Sequence, residues 1–131
     1  WKFTDSIIKG ETVTLYNGGD MYRDFTYVSD IVSGICAILN GCGDRYRIYN
    51  IGSGRSVLVT DFVKELYRQI IRRGLTDRPV DIRSLPMQDG DVHRTLADIT
   101  DMTVDYGYRP ETGIGDGLGN FVRWYDEVVC K

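Results

Sequence analysis

Apolar positions along this chain alternate between the two spacings that mark helices and strands. Phe3, Ile7 and Ile8 share one helical face before Gly10 stops it. Thr12 to Tyr16 is a short β-prone run, Asn17 to Asp20 carries turn chemistry, and Asp24 to Val28 reads as a second strand. A helix is predicted next, with Ser29 as N-cap, Asp30 in its first turn, and a stripe of Ile31, Ile35, Ile38 and Leu39 that ends at Asn40-Gly41. Arg45 to Ile51 alternates as a half-buried strand, with Tyr46, Ile48 and Asn50 on one face. The strongest helical pattern follows: Thr60 caps it, Phe62, Val63, Leu66, Tyr67, Ile70 and Ile71 line one side, and Arg72-Arg73-Gly74 supplies a basic last turn and a terminal glycine. Val80 to Leu85 reads as a further strand. From Thr112 the tail places Ile114, Leu118, Phe121, Val122 and Tyr125 at helical spacing. Gly115, Gly117 and Gly119 each cost about 1 kcal/mol against alanine inside such a helix, so packing must hold it. The alternation predicts a small α/β domain of short strands with packed helices, with no internal repeat, low-complexity tract or linker.

Length and charge narrow the function classes. A chain of 131 residues supports one core, so residues 1–131 are expected to form one domain. A net charge of -3 offers no basic excess for a phosphate backbone, which argues against nucleic acid as a partner. No apolar run nears the ~20 residues of a membrane span, and no signal-peptide pattern opens the chain, so a soluble cytoplasmic location is expected. Cys36, Cys42 and Cys130 lack the paired spacing of a zinc site and stand far from the sole histidine, His93, so no metal is expected. Cys36 reads as a core residue of its helix, and the other two as free thiols of a reducing compartment. The chain opens at Trp1 within an amphipathic helical pattern, which predicts a fragment of a larger protein.

Candidate chemistry is sparse. In "YNIGSGRSV", Gly52 and Gly54 follow a strand pattern and precede a helix, as in a dinucleotide-binding turn, but Val57 occupies the third glycine position and the helix starts too late to meet a pyrophosphate. A tight turn is the plainer reading. "GIGDGLG" has the wrong spacing and no strand before it. There is no G-x-S-x-G elbow, and nothing in the sequence sets two carboxylates on one bond.

Four ordered segments carry a resemblance: "KFTDSIIKGETVTLYNGGDMYRDFTYVSDIVSGI", "YRIYNIGSG", "LPMQDGDVHRTLADIT" and "NFVRWY". In order and spacing they resemble the C-terminal part of extended short-chain dehydrogenase/reductases, and the nearest group is the UDP-glucuronate 4-epimerases. The resemblance covers essentially the whole chain. It implies a two-part enzyme, in which an N-terminal Rossmann domain binds NAD and a smaller C-terminal α/β domain closes over a UDP-sugar. The cofactor glycines and the Tyr-x-x-x-Lys catalytic pair of that family would lie upstream, since no tyrosine here has a lysine four residues on. The chain alone is therefore expected to hold no catalytic centre, to bind no NAD and to turn over no substrate. The parent is expected to be a homodimer, joined through its Rossmann half.

The resemblance also assigns roles. Arg23 matches the arginine of an "RDF" or "RDY" motif that contacts the diphosphate, and a guanidinium fork suits phosphate oxygens better than a lysine point charge. The plainer reading of Arg23 is a surface ion pair with Asp24 or Asp20. Leu15-Tyr16-Asn17 matches the segment lining the uracil pocket, with Tyr16 as core filler the competing reading. Asn50 matches an asparagine near the nucleotide, or simply ends a strand. In "QDGDV", Gln88 stands where galactose-type epimerases carry a phosphate-contacting arginine, as it does in the glucuronate group. Asp91 keeps the carboxylate that contacts the ribose hydroxyls; otherwise it is a loop carboxylate. Arg94 is either a second phosphate contact or a solvent-facing side chain, and Asp98 reads as a helix cap. Beside the epimerase reading stand two others: a nucleotide-sugar dehydratase or decarboxylase of the same superfamily, and a non-catalytic module that binds a nucleotide or a partner.

Overall fold

The computed structural model describes residues 1–41 and 46–130. Helix α1 (Lys2–Lys9) ends at Gly10 in the left-handed region and leads to β1 (Val13–Tyr16), a turn of 3-10 helix (Asn17–Gly19) and β2 (Tyr22–Arg23). Helix α2 (Val28–Asn40) follows, then β3 (Val57–Leu58) running directly into α3 (Val59–Arg72), then β4 (Ile82–Leu85), α4 (Thr100–Tyr106) and α5 (Ile114–Val128). Strand β1 pairs in parallel with β4, setting Val13 opposite Ile82 and Tyr16 opposite Leu85. Strand β2 pairs antiparallel with β3, and its Tyr22 also bridges Arg94 in parallel. The fold is a small α/β arrangement of short strands with packed helices.

The core forms where α1, α3 and α5 converge on β1. Ile7, Val13, Leu15, Val63, Leu66, Ile70 and Val122 are buried there, as the period of α3 and of the tail required. The glycines of α5 do serve packing. A β-carbon on Gly119 would stand 3.3 Å from the Gln69 side chain of α3, and one on Gly117 would stand 3.2 Å from the Tyr27 ring. Removing those side chains lets helix backbones approach, which offsets the propensity cost.

Several expectations need correction. Residues 24–27 form no strand: the Asp24 N–H donates to the Thr95 hydroxyl at 3.1 Å, a side chain and not a ladder partner. The β-structure here is Tyr22–Arg23 instead. Helix α2 begins at Val28 with Tyr27 as its N-cap residue, so Ser29 lies inside its first turn; likewise Leu58 precedes α3 and Thr60 lies within it. Residues 46–51 are not strand either, and Tyr46 is 92% exposed and Ile48 79%. Arg45 and Cys42 lie outside the described residues. Helix α4 has no counterpart in the sequence reading beyond its approach at Asp98, which lies one position before the N-cap residue Ile99 and whose Oδ1 accepts the Thr100 N–H at 3.0 Å.

The largest departure is on α2. Its buried residues are Asp30 and Gly34, while Val32 is 51%, Ile35 46% and Leu39 70% exposed. Asp30 turns inward because its carboxylate accepts from the Thr112 N–H at 3.1 Å and hydroxyl at 3.0 Å. Gly34 turns inward because a β-carbon there would meet the Tyr108 ring and Ile51 at 3.1 Å. Of the expected apolar stripe, Ile35 and Leu39 therefore face out while Ile31 and Ile38 are half-buried, and Cys36 is exposed and free, not a core residue; Cys130 is exposed and free as well. Among the described residues, no helix is long and apolar enough to cross a membrane, and no group of His, Cys, Asp or Glu is placed to hold a metal ion.

One titration follows from the core edge. Tyr125 is buried and donates its hydroxyl to Asp5, a bond that, with burial and the carboxylate charge, pushes its pKa up to about 12. A raised pKa of this kind stabilises the fold fully below the ordinary tyrosine value of about 10, and that contribution is lost as pH rises through 12. Ultraviolet titration at the phenolate band is expected to leave Tyr125 un-ionised at pH 11 in the native protein, and Tyr125→Phe is expected to take one phenol out of that late step, which it shares with Tyr49, pushed up to about 12 by desolvation and its bond to Asp105.

Candidate functional site

Because β1 and β4 run in parallel, the chain leaves both at the same end, and two turns meet there. The first is the 3-10 turn after β1, which Asn17 starts with φ 49 and braces by donating from its side-chain amide to the Asp20 carbonyl at 2.9 Å. Asparagine tolerates that left-handed backbone better than most residues. The second runs from Gln88 to Asp91, closed by the Asp91 N–H on the Gln88 carbonyl at 3.2 Å with Gly90 at φ 80. His93 approaches Asp20 across the two turns at 3.8 Å.

Between these turns, Arg23 and Asp91 meet. An Nη of Arg23 donates to Asp91 Oδ1 at 2.7 Å, and the other Nη donates to the carbonyls of Tyr22 at 2.9 Å and His93 at 3.4 Å. Asp91 Oδ1 also accepts the Val92 N–H at 2.9 Å. Both side chains are about a quarter exposed, 22% and 29%, so the pair is neither buried nor freely solvated. Arg23 therefore pairs with neither Asp24 nor Asp20. The two residues singled out on separate motifs are brought into one ion pair, and Gln88 sits one turn before it. Tyr16 closes β1 and packs, partly buried, against the core. Asn50 bonds instead to the Asp98 carbonyl at 3.3 Å, near the start of α4. Arg94 donates to the Ser56 hydroxyl at 3.1 Å and lies over the Tyr22 ring.

Asp24 is the residue that sequence reasoning passed over. Its Oδ1 accepts from the Ser53 N–H at 2.8 Å, the Ser53 hydroxyl at 2.6 Å and the Thr26 hydroxyl at 3.1 Å, while Oδ2 accepts the N–H groups of Gly54 and Ala97, both at 3.0 Å. Burial pushes its carboxyl up, but the hydrogen bonds from Ser53, Ala97 and Thr26 outweigh this and hold it below the usual carboxylate range. The only local signal was its place beside Arg23, since every distant partner lies 29 or more residues away. These bonds also bear on the glycine loop. The N–H groups of Ser53 and Gly54 donate to Asp24, so the residues of this loop do not fit a dinucleotide phosphate.

Residues 2–52 match the family model described as the NAD dependent epimerase/dehydratase family. The chain is 35% identical over 138 residues to UDP-glucuronate 4-epimerase 2 of Arabidopsis thaliana, which covers 94% of this chain and 31% of that protein. Among solved structures, it superposes with TM-score 0.79 and 29% identity on UDP-glucose 4-epimerase with UDP-glucose from Thermotoga maritima, covering 98% of this chain and 39% of that one. It superposes with TM-score 0.80 and 27% identity on the dTDP-glucose 4,6-dehydratase DesIV of Streptomyces venezuelae, solved with NAD and TYD, over 97% of this chain and 38% of the other. The chain thus spans 31% to 39% of the length of these proteins. Over nearly all of its length, this chain is a relative of the C-terminal part of the extended short-chain dehydrogenase/reductases that make up the NAD-dependent epimerases and dehydratases.

Proposed function

We propose that this chain is the nucleotide-sugar-binding part of an NAD-dependent epimerase, with UDP-glucuronate as the substrate of the whole enzyme. The observation that carries the reading is the meeting of Arg23 and Asp91 at the end of the β1–β4 pair, 2.7 Å apart and partly open to solvent. A guanidinium held by two backbone carbonyls and a carboxylate is pre-oriented, and its Nε–H and the second hydrogen of the Asp91-bonded Nη, which faces the Met21 sulfur at 3.5 Å, are left for phosphate oxygens. Asp91 spends Oδ1 on Arg23 and Val92, which leaves Oδ2 to accept from ribose hydroxyls. Tyr16 and Asn17 then border the base, and Gln88 lies on the same turn as the carboxylate. Asn50, tied to Asp98, takes a supporting place on the neighbouring loop.

In this reading the NAD site and the catalytic pair belong to a Rossmann domain outside this sequence. The exposed face of α2, with Val32, Ile35 and Leu39, and the extended segment at Tyr46 and Ile48 are what that domain covers. A contiguous apolar face of this kind marks an interaction surface. The likeness to a dTDP-glucose 4,6-dehydratase supports a second reading, a nucleotide-sugar dehydratase, which shares the diphosphate site and differs in the chemistry at the sugar.

The test is a titration of the isotope-labelled chain with UDP, following backbone amides. Saturable shifts at Tyr16, Arg23 and Asp91 are expected. A flat response at millimolar UDP would overturn the claim that this part carries the nucleotide site.

A further inference from the structure

We propose that Asp24 is the positioning residue of the Arg23–Asp91 pair. The segment that carries Asp91 lies along β2 through a very short ladder: the Tyr22 N–H donates to the His93 carbonyl at 2.8 Å, and the Thr95 N–H donates to the Tyr22 carbonyl at 3.0 Å. So short a pairing specifies its register weakly, and a slip of one residue turns every side chain to the other face. Such a slip would carry Asp91 off Arg23. Asp24 prevents it at the far end of the segment. Its Oδ2 takes the Ala97 N–H at 3.0 Å, and its own N–H engages the Thr95 hydroxyl at 3.1 Å. The carboxylate is itself anchored from the other side by Ser53 and Gly54. Bonds to a charged acceptor are roughly twice as strong as neutral ones, so this clamp outweighs the ladder it supplements.

The inference rests on the proposed nucleotide site only for what the pair holds, and its test separates the two. Asp24→Asn keeps the shape but turns an amide N–H₂ toward the N–H donors at one oxygen. Asp30→Asn is the control, because Asp30 is a more deeply buried carboxylate that fixes a different junction, the one to Thr112. The first readout uses no ligand: the guanidinium nitrogen–proton signals of Arg23, which the ion pair with Asp91 slows against solvent exchange. Those signals are expected to broaden away in Asp24→Asn and to persist in Asp30→Asn, with the amides of Val63 and Leu66 in place in both. If Asp24→Asn does not fold, Ser53→Ala, which removes the 2.6 Å hydroxyl bond on Asp24 together with that hydroxyl's two bonds to the Arg55 backbone and leaves the other bonds on the Asp24 carboxylate, is expected to broaden them in part. Arg23 signals that persist in Asp24→Asn, in Ser53→Ala where that variant must stand in, or that vanish equally in Asp30→Asn, would overturn the proposal. The second readout is UDP affinity, with Kd expected to rise about tenfold in Asp24→Asn and to change less than about twofold in Asp30→Asn. A wild-type chain that binds no UDP would remove the nucleotide reading, and the Arg23 signals would then decide the positioning role alone.

Discussion

Replacing Arg23 with alanine is expected to raise the Kd for UDP by about 10- to 100-fold, the equivalent of about 1.4 to 2.7 kcal/mol. The range follows from losing one or two charge-assisted hydrogen bonds to phosphate oxygens in a partly shielded place. It is not larger, because 22% of the Arg23 side chain already meets water. Arg23→Lys separates charge from geometry. A lysine keeps the charge but cannot hold Asp91, two carbonyls and a diphosphate together, so its Kd is expected to fall between wild type and alanine. The core should not register either change, since Arg23 lies outside the buried cluster of α1, α3 and α5. Isothermal titration of the three chains, with thermal unfolding in parallel, checks this. Equal affinity in wild type and Arg23→Ala would mean that Asp91 alone is the use to which Arg23 is put.

What the sequence made legible follows from how far each interaction reaches along the chain. Helices α1, α3 and α5 are local patterns of period 3.6, and their buried faces match the stripes read at Ile7, at Val63, Leu66 and Ile70, and at Leu118, Val122 and Tyr125. Periodicity tells which residues share a face; it does not tell which face turns inward, and in helix α2 a bond from Asp30 to a residue 82 positions away decided it. Strands failed where backbone groups found side-chain partners, as Asp24 did with Thr95 across 71 positions. The candidate site divides the same way. Arg23, Gln88 and Asp91 stood out on their motifs, but that Arg23 meets Asp91, 68 positions on, was not written in either motif. Asp24 carried no mark of its own, because a carboxylate that receives N–H groups from distant loops looks in sequence like any surface aspartate.

Gly52→Ala is expected to destabilise the chain by about 1 to 3 kcal/mol, and Ala97→Gly is expected to recover most of that loss. Gly52 read as part of a tight turn, yet the positive backbone angle in this loop belongs to Gly54, at φ 65. What Gly52 supplies is room. A β-carbon there would stand 2.4 Å from the Ala97 β-carbon and 3.1 Å from Asp24 Oδ2, and no rotamer can relieve a clash between two β-carbons. The backbone must move instead, yet it is held on one side by the Tyr108 hydroxyl on the Gly52 carbonyl at 2.9 Å and on the other by the Asp24 clamp. Ala97→Gly alone should cost only about 0.5 to 1 kcal/mol in chain entropy, so the two substitutions together are expected to be more stable than Gly52→Ala alone. Urea unfolding of all four members of the cycle measures the coupling. A strictly additive cycle would show that the 52–54 loop and the 95–97 segment do not press on one another, and with that the close seating of both against Asp24 would lose its support.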